Sequence, residues 1–155
     1  SLKELIPQMK AFWPEAKGKI HIDAWREVTT VDNFSIEIIG KTPSVATENL
    51  YFINLGGYKE NEFEEYHYKT LAVANSLGLA GKKARSTTFY KHFSFEGATS
   101  HIDDKYGIDV DDIHNVGDIL APVFKDHYSL KITPSDVPLT EDVQHIGYLK
   151  IDKIV

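Results

Sequence analysis

The sequence predicts an α+β fold: a duplicated strand–strand–helix–strand–strand unit whose antiparallel sheets carry helices on one side. Three observations support this prediction. Short segments of the first half return in the same order in the second half. Apolar residues follow a helical period in some stretches, and in others they alternate or run continuously, as in strands. With 155 residues, 42% of them hydrophobic, the chain is long enough to bury a core.

The repeat is most evident in two short motifs. Residues 21–23 (HID) return as residues 101–103, and residues 32–38 (DNFSIEI) return as residues 126–132 (DHYSLKI). A segment with aromatic side chains precedes each HID motif. Two copies of one structural unit explain this order.

The repeat divides the chain into a partial and a complete copy. The first copy, residues 1–45, begins at its helix and lacks the leading hairpin, whereas residues 46–155 hold a complete second copy and a C-terminal strand. We expect residues 1–40 and 79–132 to superpose as a helix followed by a pair of strands. Since no linker-like tract separates the copies, we expect them to pack as one globular unit.

Helical spacing of apolar residues predicts a helix at the start of the chain. Residues 1–4 (SLKE) have the spacing of a capping box. Pro7 removes a backbone donor beyond the first turn, so the helix begins after Ser1 or bends at Pro7. Pro14 and Gly18 are predicted to end it. The apolar stripe consists of Leu2, Leu5, Ile6, Met9, Phe12 and Trp13.

Two strands are predicted to follow in the first copy. They cover residues 25–31 and 34–39, and Asp32-Asn33 joins them because both residue types favour turns. Residues 40–47, which include Pro43, form a connection to the second copy.

The second copy begins with a strand at residues 50–55 that is apolar on both faces, as expected of a central strand. Gly56-Gly57 is predicted to break it. Alternation over residues 63–74 predicts the next strand, with Glu65 and His67 on one face. The other predicted elements are a helix at 79–93 and strands at 108–116, 128–132 and 147–151.

Composition excludes several classes of function. The net charge of −6 argues against sequence-independent binding to duplex nucleic acid, which needs many Lys and Arg residues. The absence of cysteine excludes disulfides, thiol nucleophiles and Cys-ligated metal sites. No apolar run approaches the roughly 20 residues that cross a bilayer, and no signal peptide is evident. We therefore expect a soluble cytoplasmic protein.

Glu65 and His67 are the first candidates for chemistry. A carboxylate two residues from an imidazole on one strand face could act as a general acid–base pair or as two metal ligands. The same pattern is also typical of a solvent-facing strand surface, and we favour that interpretation.

The repeated His-Ile-Asp motif is the second candidate. In an extended segment it places His101 and Asp103 on the same side, and likewise His21 and Asp23. Such a pair suits two pseudo-symmetric sites. It suits equally a structural turn in which the carboxylate accepts backbone N–H groups, and we favour this structural role.

Other motifs fail. The acidic residues of the second copy lack the EF-hand spacing, and residues 78–83 (GLAGKK) lack the Gly and Ser/Thr positions of a P-loop. A helix N-terminus near Lys82, Lys83 and Arg85 could still hold an anion. No hydrolase, zincin or dinucleotide fingerprint occurs.

Three motifs of the second copy occur together: residues 50–57 (LYFINLGG), the Glu65-Tyr66-His67 strand, and residues 101–104 (HIDD). This combined pattern resembles a bacterial family, the domain of unknown function 1543 family. The resemblance covers residues 50–116 well and residues 1–40 as a partial first copy. It implies a Leu-Gly-Gly hairpin at the start of the first copy, which this sequence lacks, and it implies no activity.

These observations favour a non-enzymatic binding or interaction module without a cofactor. The alternative is a small enzyme or metal-binding protein that uses the Glu-x-His strand and the His-Ile-Asp turn, with His67, His101 and Asp103 as candidate metal ligands. The missing hairpin would expose apolar surface or a sheet edge, so we expect a homodimer. A ligand site, if present, is predicted to gather Gly56, Gly57, Glu65, His67, His101 and Asp103.

Overall fold

A computed structural model describes residues 2–43, 47–58, 61, 63–86 and 110–154. Its helices are α1 (Leu2–Phe12), α2 (Leu77–Arg85), α3 (Val116–Ile119) and α4 (Pro122–His127). Its strands are β1 (His21–Trp25), β2 (Thr30–Val31), β3 (Phe34–Gly40), β4 (Asn49–Tyr58), β5 (Glu65–Ala74), β6 (Val110–Asn115), β7 (Tyr128–Pro134) and β8 (His145–Lys150).

The α+β prediction is confirmed, because helices accompany sheets whose strand pairs are all antiparallel in the described part of the chain. The chain divides into two compact units. The first joins residues 1–28 to residues 141–155, and the second spans residues 29–140. These bounds differ from the predicted copies 1–45 and 46–155, whose assignment stays a prediction.

The first unit contains α1 and the two-stranded sheet of β1 and β8. The predicted N-terminal helix is confirmed, and Pro7 lies inside it. After a 3₁₀ turn at Pro14–Ala16, Lys17 and Gly18 adopt positive φ angles of 49° and 74°, which end the helical segment. Strand β8 begins two residues before the predicted strand.

A β-bulge interrupts the pairing of β1 with β8. Ile22 pairs with Leu149 and Ala24 pairs with Ile146, so Asp23 faces two residues of β8, one of which is Gly147. Gly147 has φ of 141°, a conformation that residues with a side chain rarely adopt. Bulges of this kind change which face of a strand its side chains occupy.

The predicted strand over residues 25–31 is wrong in extent. β1 ends at Trp25, residues 26–29 belong to no strand, and β2 contains only Thr30 and Val31. The reason is that β1 pairs with β8, whereas β2 pairs with β3 in the second unit. The chain passes from one unit to the other between these two strands.

In the second unit, β2, β3 and β7 form one sheet. The predicted Asp32-Asn33 turn is confirmed: the two residues have φ of 52° and 64°, as a two-residue hairpin turn of type I′ requires. The Asn33 side chain donates to the Ser135 carbonyl oxygen at 2.7 Å and accepts from the Leu139 N–H at 2.9 Å. The turn is thereby tied to the segment after β7.

The register of β3 and β7 is symmetrical. Glu37 pairs with Lys131. The flanking pairs, Ile36 with Ile132 and Ile38 with Leu130, lie on the opposite face of the sheet. In the sequence repeat, residue 126 corresponds to residue 32, and Lys131 therefore corresponds to Glu37. Two copies related by a local two-fold axis through the Glu37–Lys131 pair would give this register, but the duplication itself stays a prediction.

A second sheet in this unit has the order β5-β4-β6, with α2 packed on one face. The side chains on the α2 side form the main core: Tyr51, Ile53, Leu55, Ala72, Ala74, Ala80 and Ala84. Small residues on α2 let the helix approach the sheet closely. The prediction that Gly56-Gly57 ends the strand is wrong, since β4 continues to Tyr58 and pairs with β5 along its whole length.

The two strands predicted as the second-copy pair both form but do not pair with each other among the described strands. β6 pairs with β4 and β7 pairs with β3, because α3 and α4 carry the chain from one sheet to the other. The predicted helix begins at Leu77, two residues early, and is described as far as Arg85. Superposition of the two copies would require residues 87–109, which lie outside the described residues, so it stays a prediction.

Asp32 connects the two sheets. Its Oδ2 accepts from the backbone N–H of Val73 at 3.0 Å and from Lys83 Nζ at 3.0 Å, and Lys83 Nζ also donates to the Val73 carbonyl oxygen at 2.6 Å. Both backbone groups of Val73 are thus satisfied on the edge of β5 that faces away from β4. We call the Asp32–Val73–Lys83 contacts the carboxylate clasp.

The clasp should contribute measurably to stability. We expect Asp32→Gly, which keeps the left-handed turn accessible, to lower the free energy of unfolding by about 1–3 kcal/mol, since it leaves the Val73 N–H without its acceptor. Glu37→Ala removes the exposed ion pair with Lys131 and should cost less than about 1 kcal/mol. Urea denaturation of both variants measures the difference, and equal losses would contradict the role of the clasp.

Gly147 and Gly40 offer a second comparison. A Cβ atom at either position would meet no heavy atom within 4 Å, but only Gly147 has a positive φ. We therefore expect Gly147→Ala to destabilise the β1–β8 ribbon by about 1–3 kcal/mol through backbone strain, while Gly40→Ala leaves stability nearly unchanged. Amide hydrogen exchange in β1 and β8 reports the local effect. Similar protection in both variants would show that the bulge does not depend on glycine.

Candidate functional site

The described part of the predicted site lies on the β5-β4-β6 sheet. Gly56 is paired directly with His67, Gly57 with Tyr66, and Tyr58 with Glu65. Gly56 is buried and His67 is exposed. His101 and Asp103 lie outside the described residues, so their convergence with His67 stays a prediction.

The side chain of His67 lies on the sheet face opposite α2. Alternation along β5 puts Lys69 on this face too, and Lys69 pairs with Asn54 of β4. Asn54 pairs on its other side with Asp112 of β6. A carboxylate, an amide and an ammonium group therefore form one row across three strands, with neighbouring Cβ atoms about 5 Å apart.

His114 extends this polar surface. It pairs with Phe52, and its Nε2 lies 3.9 Å from Asp112 Oδ1. Sequence analysis missed His114, and it considered Asp112 only as part of an acidic run without calcium-loop spacing. The signal was present in the alternation of β6, in which Asp112 and His114 flank Ile113, the residue that packs against the core. We call Asn54, His67, Lys69, Asp112 and His114 the polar sheet face.

The polar sheet face can form hydrogen bonds with a bound group, and its opposite charges partly offset one another. The side chains of Asp112 and His114 are both exposed, so water screens electrostatic interactions between them. Among the described residues, no group of three His, Asp or Glu side chains converges as metal ligands.

The first His-Ile-Asp motif lies in β1. As predicted from its extended conformation, His21 and Asp23 lie on the same side, with His21 Nε2 at 3.2 Å from Asp23 Oδ1. The His21 ring also stacks on Tyr148 of β8, with ring centroids 4.3 Å apart. The motif thus orients an imidazole within a pair of strands, and it lies in a strand rather than in the structural turn that we favoured.

A second stack lies on the same ribbon. Trp25 pairs with His145, and their rings are 3.9 Å apart and nearly parallel, at 7°. The bulge at Gly147 makes this possible, because it shifts the alternation of β8 so that His145 and Tyr148 occupy one face. The ring stacks therefore hold the two strands together on that face.

The β2–β3–β7 sheet carries a third feature that sequence analysis did not single out. Ile36 and Ile38 lie on the same apolar face, but Ile36 is 7% exposed and Ile38 is 74% exposed. Leu130, which pairs with Ile38, is only partly buried, and Tyr128, the first residue of β7, is half exposed. We call Ile38, Leu130 and Tyr128 the uncovered half of this sheet.

Comparison with known proteins shows a related fold and a family match over part of the chain. No curated protein is significantly similar to the chain. The fold is similar to that in the crystal structure of a protein Il1583 from Idiomarina loihiensis, with a TM-score of 0.54 and 21% identity. The alignment covers 99% of this chain and 80% of that one.

In the described residues, no helix has both the length and the apolar character that a membrane span needs. Residues 1–38, which lie within the predicted partial first copy (residues 1–45), match the family described as Domain of Unknown Function (DUF1543). The resemblance that we identified in residues 50–116 lies outside this match. The match supports the predicted family for this segment: residues 1–38 are similar to the domain of unknown function 1543 family.

Proposed function

We propose that this chain is a non-enzymatic interaction module that binds a second copy of itself through the uncovered half of the β2–β3–β7 sheet. The observation that carries the proposal is the contrast between Ile36 and Ile38. Ile36 and Ile38 belong to the strand pairs that flank Glu37–Lys131 on either side, yet Ile36 is buried and Ile38 is largely exposed to water.

The two ends of the apolar face of the β2–β3–β7 sheet differ in what covers them. Near Ile36, the carboxylate clasp holds the β2–β3 turn to the edge of β5. The equivalent end of β7, near Ile38, lacks such a cover in the described part of the chain. Apolar residues in this position lose contact with water when a protein surface covers them, which favours association.

A second copy is the partner that symmetry favours. A two-fold interface places the same patch of each copy against the other, so a single apolar patch is sufficient for both sides. Helix α4, which packs against β7, adds the exposed side chains of Val123 and Phe124. Each copy carries a net charge of −6. Repulsion between copies should therefore weaken association at low salt, and added salt should strengthen it.

The alternative function is a small enzyme or metal-binding protein that uses the polar sheet face together with the second His-Ile-Asp motif. The observation that favours it is the direct pairing of His67 with Gly56, which brings two of the predicted site residues together. Cytoplasmic location and bacterial origin stay predictions from the sequence.

The proposed dimer can be tested with two exposed isoleucines. Sedimentation velocity over a range of protein concentrations should show a dimer for the unmodified chain and a monomer for Ile38→Asp. Ile146→Asp is the matched control, since Ile146 is 82% exposed but lies in the first unit. It should leave the dimer intact. A monomeric unmodified chain, or equal behaviour of the two variants, would rule out the proposed interface.

His67→Ala tests the alternative. If the polar sheet face is a ligand or metal site, the variant should lose binding of added Zn²⁺ or Ni²⁺ in isothermal titration while its melting temperature stays unchanged, since an exposed side chain contributes little to stability. If the residue belongs only to the scaffold, the melting temperature falls and no metal binding is lost. If the unmodified chain and His67→Ala bind the metal ion equally well, His67 is not part of the binding site.

A further inference from the structure

A cleft lies in the second unit where the start of β3, the end of β5 and helix α2 meet. Its volume is about 380 Å³, within the range of small-molecule sites. It is open to solvent on one side. The residues that line it are Phe34, Glu48, Val73, Ala74, Asn75, Leu79, Lys82, Lys83 and Ser86.

The floor of the cleft is apolar. Val73 and Ala74 are buried, and Phe34 and Leu79 present partly exposed apolar side chains. Such a floor favours a ligand with an aliphatic part, because both surfaces lose contact with water when they meet.

The rim of the cleft carries charges of both signs. Lys83 is already occupied, because its ammonium group binds Asp32 and the Val73 carbonyl oxygen. Glu48 and Lys82 remain, and among the described residues neither forms an ion pair. Because Lys83 is held in the clasp, the rim offers a ligand one carboxylate, that of Glu48, and one ammonium group, that of Lys82.

The charges decide between classes of ligand. An anion would be attracted by Lys82 but repelled by Glu48. A cation would be attracted by Glu48 but repelled by Lys82. A neutral apolar molecule would remove water from both charges without replacing their hydrogen bonds, which is unfavourable. A small zwitterion satisfies both groups at once.

We propose that this cleft binds a small zwitterion with an aliphatic side chain, of the type of a free branched-chain α-amino acid. The aliphatic part lies on Phe34 and Leu79, the carboxylate faces Lys82, and the ammonium group faces Glu48. This site uses different residues from the proposed dimer surface, so either proposal can fail without the other. Because the cleft is open and the ligand keeps part of its hydration, the dissociation constant should be in the millimolar range.

The test uses three probes that share the leucine side chain but differ in the charge of their end groups: L-leucine, L-leucinamide and N-acetyl-L-leucine. In ¹H–¹⁵N correlation spectra, leucine should shift the amide signals of Ala74, Asn75 and Leu79. Leucinamide lacks the carboxylate and N-acetyl-leucine lacks the ammonium group. Each should bind about twofold to fivefold more weakly than leucine, the effect expected for loss of one solvent-exposed ion pair.

Variants assign the charges to residues. Lys82→Ala should reduce the affinity for leucine to that for leucinamide, and Glu48→Gln should reduce it to that for N-acetyl-leucine. Lys41→Ala and Glu64→Gln are the controls, since they change exposed charges outside the cleft and should leave binding unaltered. The proposal is overturned if leucine causes no localised shifts, if the three probes bind equally well, or if the control variants weaken binding as much as the cleft variants do.

Discussion

The arrangement of the second unit depends on one carboxylate. Asp32 Oδ2 accepts hydrogen bonds from a strand-edge N–H and from a lysine ammonium group. The two groups come from β5 and α2, which follow Asp32 by dozens of residues. Hydrogen bonds to a charged acceptor are stronger than those between neutral groups. The clasp also occupies the exposed edge of β5 at Val73, where an unpaired strand could otherwise associate with another chain.

The clasp works because the adjoining turn is left-handed. A type I′ turn directs Asp32 and Asn33 to different neighbours: Asp32 binds β5 and α2, while Asn33 binds the segment after β7. Asp and Asn tolerate positive φ better than most other residues do. One turn of two residues therefore fixes the positions of the first sheet, the second sheet and the C-terminal connection of this unit.

Local patterns in the sequence predicted most elements, because helix and strand periods are local properties. α1, the Asp32-Asn33 turn and β5 follow directly from spacing and residue type. Long-range pairing could not be predicted in the same way. Strand β1 ends at Trp25, which pairs with His145 at the start of β8, more than a hundred residues away in the sequence. Strand β4 continues through Gly56 because β5 supplies a partner for each residue.

The candidate sites show the same limit. Gly56 and His67 were predicted to lie together and are paired, since a hairpin brings them close. Asp112 and His114 were not predicted as part of this surface, because only the pairing of β6 with β4 places them on the face of His67. The cleft was missed for a similar reason: it forms where three separate elements meet, and no single motif encodes it.

The clasp also links stability to the cleft. Lys83 lies between Asp32 and the cleft, with its Nζ 5.9 Å from the centre of the Phe34 ring, so one lysine both neutralises the carboxylate and borders the apolar floor. If Lys83 were released from Asp32, the rim would gain a second cation and its preference would move from a zwitterion towards an anion. The clasp therefore determines the charge of the ligand that the cleft selects, as well as how the two sheets are held together.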